Sequence, residues 1–260
     1  MAYELQWGSD KPGHLVFLID LSGSMKEKMD YVIEVVYKTC KSVYAHSQHS
    51  ERVSISIYGY NDHIYELFKP NTTASELGKI LYNVKEKGLS HLFLVKPVAT
   101  SLTFMELAFK KAKEDVEKWI KNQIENPNFG PNRVPAPIVI NVTDGKPYEG
   151  INSNQKDVFN RTLSAAQDLM DIRTNDGSVR LFNIHHAVDS TKEPMRFPTV
   201  RPTGDIVNEF LYDASSSMSD DMVASAQKYF NIATSGAKCV ISNETKVENI
   251  IKFLEWGSSK

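Results

Sequence analysis

Three oxygen-bearing side chains occur at alternate positions near the start of the chain. They are Asp20, Ser22 and Ser24, and they follow an apolar segment at residues 15–19. Such a segment is typical of a strand that is buried on both faces of a parallel sheet. A carboxylate and two hydroxyls around one turn are hard oxygen donors, which suit Mg²⁺, Mn²⁺ or Ca²⁺ rather than Zn²⁺. The spacing therefore predicts a divalent-cation site.

A second carboxylate follows a second apolar strand. Thr143, Asp144 and Gly145 come after residues 138–142, and the polar segment 100–103 precedes a long predicted helix. Ligands of open α/β sheets bind outside the carboxyl ends of the strands, so we expect Asp144 to lie at the same edge as Asp20. Two carboxylates, two serines and a threonine would leave an octahedral ion partly hydrated. A partner could then supply the missing oxygen.

Strands and helices alternate along the chain and must position these residues. The patterns predict strands at residues 14–20, 52–58, 63–68, 138–143, 179–187 and 237–241, and helices near 25–47, 74–84, 104–124, 155–173, 205–212, 219–234 and 246–256. Such alternation predicts an α/β fold with a doubly wound, mostly parallel sheet and helices on both faces. A turn at Asn61 and Asp62 predicts a hairpin and hence one antiparallel edge strand. We expect residues 1–260 to form a single domain.

The composition limits the class of protein. The 260 residues are 41% hydrophobic and 24% charged, with a formal net charge of -2. This balance is ordinary for a globular domain and offers no basic excess for nucleic-acid binding. No apolar run is long enough for a membrane-spanning helix, and the first residues do not form a secretory signal. Cys40 and Cys239 cannot build a disulfide framework. We therefore expect a cytoplasmic protein with no membrane or nucleic-acid partner.

The two motifs together resemble the von Willebrand factor type A domain family. The metal-ion-dependent adhesion site of that family has the pattern D-x-S-x-S, then T, then D. Asp20, Ser22 and Ser24 match the first part, and Thr143-Asp144-Gly145 matches the T-D-G of the family. The resemblance implies a vWA fold and a site for Mg²⁺, or for Mn²⁺ or Ca²⁺. Within the family, the chain resembles the stand-alone bacterial members, such as those associated with tellurite resistance.

The middle threonine has two candidates. The family pattern T-x-h-x-x-A-h, where h is hydrophobic, fits a start at Thr103, although the glycines that usually precede it are missing. The resemblance therefore implies Thr103 rather than Thr100 as the ligand. A structural role competes with this assignment, because Thr103 and Glu106 also spell a T-x-x-E capping box. The predicted metal ligands are thus Asp20, Ser22, Ser24, Thr103 and Asp144.

Two other features imitate metal sites. Residues 213–217 also spell D-x-S-x-S, but no buried strand precedes Asp213, so we expect a turn between two helices, with Ser217 or Ser219 capping the second. His185 and His186 are adjacent in a predicted strand. Their side chains should point to opposite faces and cannot easily bind one ion together. We expect structural roles for both.

The donor set favours recognition over catalysis. An ion that is held by two carboxylates and three neutral hydroxyls is weakly compensated and open at one position, so an Asp or Glu of a protein partner could complete its shell. We expect a metal-dependent protein–protein interaction module, in a signalling or stress-response assembly, that is not an enzyme. One alternative is a phosphatase-like hydrolase that uses Asp20, although Ser22 stands where such enzymes need an acid. Another is a partner subunit of an AAA+ ATPase.

Overall fold

A computed structural model describes residue 7 and residues 11–47, 52–128, 130–186, 193–230 and 234–243. The strands are β1 Gly13–Asp20, β2 Val53–Tyr60, β3 Ile64–Glu66, β4 Thr72–Thr73, β5 Ile138–Thr143, β6 Arg173–Thr174, β7 Gly177–Ser178, β8 Arg180–His185, β9 Met195–Arg196 and β10 Val240–Ser242. The helices are α1 Met29–Ser47, α2 Ala74–Lys87, α3 Met105–Glu125, α4 Gln155–Met170, α5 Ile206–Asp213 and α6 Asp220–Phe230.

The main sheet is mostly parallel, as predicted. Its order is β3-β2-β1-β5-β8-β10-β9, with β4 paired to β2. The pairs β1–β2, β1–β5, β5–β8 and β8–β10 are parallel, whereas β3 is an antiparallel edge strand against β2. The short strand β9 is antiparallel to β10 at the other edge. In this arrangement β1, β5 and β8 all end at one edge of the sheet.

Helices cover both faces of the sheet because successive residues of the inner strands are apolar, so that each face presents apolar side chains. All eight residues of β1 are buried. Leu15, Phe17 and Ile19 pack in one apolar cluster with residues of α1, α2 and α6. Val16 and Leu18 pack in the other cluster with residues of α3, α4 and α5. The doubly wound α/β architecture predicted from the sequence is thus confirmed.

The structure differs from the predicted elements in a few places. The helix that was expected from residue 25 begins as a 3-10 helix, Gly23–Lys28, and becomes α-helical at Met29. The two-residue strands β4, β6, β7 and β9 were not predicted, since such short strands carry no periodicity. The helix that was predicted at residues 246–256 lies outside the described residues. None of the described helices has the length and apolar composition needed to cross a bilayer.

Candidate metal centre

The loops after β1 and β5 meet at the carboxyl edge of the sheet. Thr143, the last residue of β5, donates a hydrogen bond from its hydroxyl to Oδ2 of Asp20 at 2.6 Å. The backbone N–H of Ser22 donates to Oδ1 of Asp20 at 2.8 Å. Asp20 has no exposed surface. This burial raises the pKa of Asp20 to about 6, although the hydrogen bonds from Thr143 and Ser22 oppose the shift.

A chain of hydroxyl and carboxylate oxygens leads from this buried acid to the solvent. The hydroxyl oxygens of Ser22 and Ser24 are 3.2 Å apart, and the Ser24 hydroxyl donates to Oδ1 of Asp144 at 2.9 Å. Ser22 is buried, but Ser24 is exposed. The two halves of the predicted motif are therefore in direct contact, with Ser24 on the outside.

These separations fit the ligand shell of a small divalent cation. Ligands at about 2.1 Å from an octahedral ion lie about 3 Å from each other when they are adjacent. The distances along Ser22, Ser24 and Asp144 are close to that edge length. Among the described residues, no group of three or more His, Cys, Asp or Glu side chains is placed to hold a metal. An ion at this edge would therefore depend on the hydroxyls as well as the two carboxylates.

The segment between the two motifs also reaches the site. The backbone N–H of Thr100 donates to the carbonyl of Leu21 at 2.8 Å, and the N–H of Gly23 donates to the carbonyl of Ser101 at 3.2 Å. Thr103 forms an antiparallel bridge with Tyr148, four residues after Asp144. The structure thus brings Thr100 and Thr103 to the same edge of the sheet as the carboxylates.

The two threonines differ in their surroundings. Thr103 is buried, whereas Thr100 is exposed and its hydroxyl accepts a hydrogen bond from the Asn61 amide at 3.3 Å. The capping box that competed for Thr103 is wrong: α3 begins at Met105, its N-cap residue is Phe104, and no side chain caps it. Glu106 instead binds Lys110 and Arg161. Thr103 therefore stays a predicted ligand without that competing role.

Sequence reasoning missed a lysine at this site. The Nζ atom of Lys28 lies 2.5 Å from Oδ2 of Asp144, and the two side chains are only 9% and 3% exposed. Lys28 ends the 3-10 helix that also carries Ser24. Four residues separate Ser24 from Lys28, which is not the repeat of a 3-10 helix, so the spacing alone gave no signal of this contact.

The two adjacent histidines separate, as predicted. His185 is buried at the end of β8, where its Nε2 lies 3.2 Å from the carbonyl oxygen of Asp144 and its Nδ1 lies 2.7 Å from the Ser242 hydroxyl. Burial lowers the pKa of His185 to about 4, so the ring is neutral at pH 7. The His186 ring stacks on Tyr31 instead.

The second D-x-S-x-S sequence forms the predicted turn between helices. Asp213 ends α5 and binds Arg201. Ser216 accepts a hydrogen bond from the N–H of Leu181, near the start of β8, which places this turn at the opposite edge of the sheet from Asp20. Ser219 accepts from the N–H of Met222 at the start of α6.

A buried Ser–His–Asp arrangement lies near the opposite edge of the sheet. Nδ1 of His14 is 2.9 Å from the Ser54 hydroxyl, and its Nε2 is 3.0 Å from Oδ2 of Asp115. The His14 ring has no exposed area and stacks on Trp119. Because a substrate cannot reach a fully buried ring, we interpret this cluster as a polar network that joins β1, β2 and α3.

Comparisons with known proteins agree with the fold. A model of the von Willebrand factor type A domain matches residues 14–165. The chain is similar to the open conformation of the pilus adhesin SpaC from Lactobacillus rhamnosus GG, with 12% identity and a TM-score of 0.52, over 96% of this chain and 30% of that chain. It is also similar to proximal thread matrix protein 1 from the mussel byssus, with 14% identity and a TM-score of 0.50, over 96% of this chain and 48% of that chain. At these identities the likeness concerns the fold alone.

A third solved structure, that of the manganese-loaded TRAP protein from Plasmodium vivax, is 18% identical with a TM-score of 0.42, over 68% of this chain and 58% of that chain. This chain therefore spans less than two thirds of each of these three proteins. No curated protein sequence matches it.

Proposed function

Since the chain belongs to the von Willebrand factor type A domain family, we propose that it binds a protein partner through a divalent cation at the carboxyl edge of its sheet. Domains of this family typically mediate protein–protein interactions, often with a bound metal. The ion would be Mg²⁺, Mn²⁺ or Ca²⁺. Its protein ligands would be Asp20, Ser22, Ser24, Thr103 and Asp144.

One observation carries this proposal. The Ser22, Ser24 and Asp144 oxygens lie next to one another at distances of 3.2 and 2.9 Å, in a row that starts above a fully buried carboxylate. A buried carboxylate is costly unless a positive charge compensates it. A divalent cation beside Asp20 would supply that charge, and the hydroxyls would supply neutral oxygens. The donor set is the one that hard cations prefer.

The outer part of the site favours an acidic partner. Ser24 and Gly23 are exposed, so a ligand from outside can approach the ion on this side. The hydroxyl ligands add no negative charge, so a carboxylate from the partner would be the natural sixth ligand. A fully buried Asp20, in contrast, is poorly placed for the in-line attack that the phosphatase-like alternative requires.

Exposed apolar side chains beside the site would add contact area. Leu94, Val95 and Val98 are 69%, 50% and 58% exposed. They belong to the segment that precedes Thr100, and Val95 and Val98 line a cavity of about 240 Å³ together with Leu21. Exposed apolar side chains next to a binding site can add buried area to a protein interface. We therefore assign the ledge of Leu94, Val95 and Val98 to the partner interface.

The metal is tested first. Thermal unfolding of the chelated protein is followed as Mg²⁺, Mn²⁺ or Ca²⁺ is added, for the wild type, for Asp20→Asn and for Asp213→Asn as the matched control. An ion at ~100 times its Kd should add about 2.7 kcal/mol of stability. We expect this gain in the wild type and in the Asp213→Asn control, and its loss in Asp20→Asn. If the ion changed the stability of all three proteins equally, the proposed metal site would be wrong.

The partner chemistry is tested with a random peptide library displayed on phage. Peptides are selected on the immobilised protein in the presence of the ion that stabilises it, and are eluted with EDTA. We expect the eluted peptides to share an Asp or Glu, and to lose binding when that acid is replaced by Asn or Gln. Peptides that bind equally well in EDTA, or that contain no acid, would overturn the proposal.

A further inference from the structure

The side chain of Lys28 occupies the inner side of the candidate metal centre. Its ammonium group contacts Oδ2 of Asp144, while the Ser24 hydroxyl contacts Oδ1 of the same carboxylate. Both groups come from the 3-10 helix Gly23–Lys28. One short helix therefore contacts both carboxylate oxygens of Asp144.

Among the described residues, this ion pair is more buried than the other pairs that involve a lysine or an arginine. The Lys28 side chain is 9% exposed and that of Asp144 is 3% exposed, whereas the Lys38–Glu34 pair, for example, is 44% and 46% exposed. Charges that are shielded from water interact more strongly than surface pairs do. The positive charge of Lys28 thus lies against the carboxylate of Asp144, which the proposed ion would also bind.

We propose that Lys28 is a built-in competitor of the divalent cation and sets the affinity of the site for it. The inference rests on the proposed function. An ion that binds Asp144 must replace the Lys28 contact or lie a few ångströms from the ammonium group, and both are unfavourable. With Asp20 and Asp144 ionised and Lys28 still present, the loaded centre keeps one net positive charge. Loading is therefore weak in the absence of a partner and is strengthened by a partner carboxylate.

The test is a titration of the chelated protein with Mn²⁺, followed by calorimetry and by the electron paramagnetic resonance signal of free Mn²⁺. The proteins are the wild type, Lys28→Met, Lys28→Arg and the control Lys26→Met. Lys26 is exposed and lies on the same 3-10 helix, so its replacement removes the same charge away from Asp144. We expect Lys28→Met to bind Mn²⁺ about tenfold more tightly or better. The control and Lys28→Arg should stay close to the wild type.

The outcomes separate this inference from the proposed function. If wild type, Lys28→Met and Lys26→Met bind Mn²⁺ equally tightly, the proposed role of Lys28 is wrong, whereas metal binding by this protein is supported. If none of them binds Mn²⁺, the proposed function itself fails, and the inference fails with it. Binding by Lys28→Met that is clearly tighter than binding by the wild type supports the inference.

A second measurement needs no variant and applies if Lys28→Met does not fold. In wild-type protein labelled with ¹⁵N at its lysines, the Lys28 ammonium protons should exchange slowly with water in chelator, because the group is buried against Asp144. Addition of Mg²⁺ should shift or broaden that signal. A Lys28 signal that Mg²⁺ leaves unchanged, under conditions where Mg²⁺ stabilises the protein, would overturn the inference.

Discussion

The hydroxyl of Thr143 donates to the carboxylate of Asp20 at 2.6 Å, across the boundary between β5 and β1. Thr143 directly precedes Asp144, so this bond ties the backbone position of the second carboxylate to the side chain of the first. The two acidic loops therefore form one unit before any ion is bound. We expect this pre-arrangement to reduce the ordering cost of metal binding.

Replacing Asp20 by Asn should stabilise the metal-free protein at pH 8. The pKa of Asp20 is raised to about 6 by burial, so the folded state holds a proton that the unfolded state has already released between about pH 4 and pH 6. Its ionisation therefore lowers stability as the pH rises through that window. Urea denaturation in chelator should show a gain of about 1–3 kcal/mol for Asp20→Asn at pH 8, and a smaller one at pH 4.

Removal of the Thr103 hydroxyl should weaken metal binding more than removal of the Thr100 hydroxyl. Thr103→Val should weaken Mn²⁺ binding about tenfold or more, because Thr103 is a predicted ligand and is buried beside the Tyr148 bridge. Thr100→Val is the matched control, since the Thr100 hydroxyl is exposed and is bonded to Asn61. The calorimetric Kd of each variant decides between them. A larger loss of Mn²⁺ affinity in Thr100→Val than in Thr103→Val would make Thr100 the metal ligand.

The apolar ledge should contribute to partner binding and not to metal binding. Val98→Asp places a negative charge beside the path of an acidic ligand, so it should weaken the binding of the selected acidic peptides by about tenfold or more. Its affinity for Mn²⁺ should be unchanged. Val200→Asp is a suitable control, because Val200 is 77% exposed and follows Pro198, whose carbonyl accepts from Lys238 at the amino edge of the sheet. Fluorescence anisotropy with one labelled peptide measures the peptide affinity of both variants.

The buried network around His14 should make stability depend on pH in the acid range. Burial alone would raise the pKa of Asp115, but hydrogen bonds, above all that from His14, hold it below its usual value. The folded state therefore favours ionised Asp115. This contribution is complete above the unfolded pKa of about 3.9 and is lost as the pH falls through the folded value.

The network is tested with Asp115→Asn. At pH 7 the free energy of unfolding should fall by about 1.5–3 kcal/mol, since a hydrogen bond to a charged group is lost. The difference from the wild type should narrow as the pH falls from about 4, where Asp115 of the unfolded state becomes protonated, towards the lower pKa of the folded state. Glu114→Gln is the control, because Glu114 is exposed on the same helix. A constant difference across the acid range would contradict this interpretation.

Much of the architecture could be predicted from the sequence because the inner strands are short apolar runs that end in polar residues. That pattern located β1 and β5, and the parallel sheet then implied that Asp20 and Asp144 meet at one edge. Lys28 was missed because its burial depends on the path of its side chain across the site, which periodicity does not describe. The contact from His185 to the Asp144 carbonyl depends on strand register and was missed for the same reason.

The position of β1 and β5 inside the sheet has a mechanical consequence for the proposed attachment point. Both strands have a parallel neighbour on each side. Tension applied to a partner at their carboxyl ends would run along the strand axes and load many interstrand hydrogen bonds at once, in shear. The edge strand β3 has one neighbour and only three residue pairs with it, so the same tension on β3 would be carried by far fewer hydrogen bonds. A partner that is held at this edge is thus attached where the sheet best resists being pulled apart.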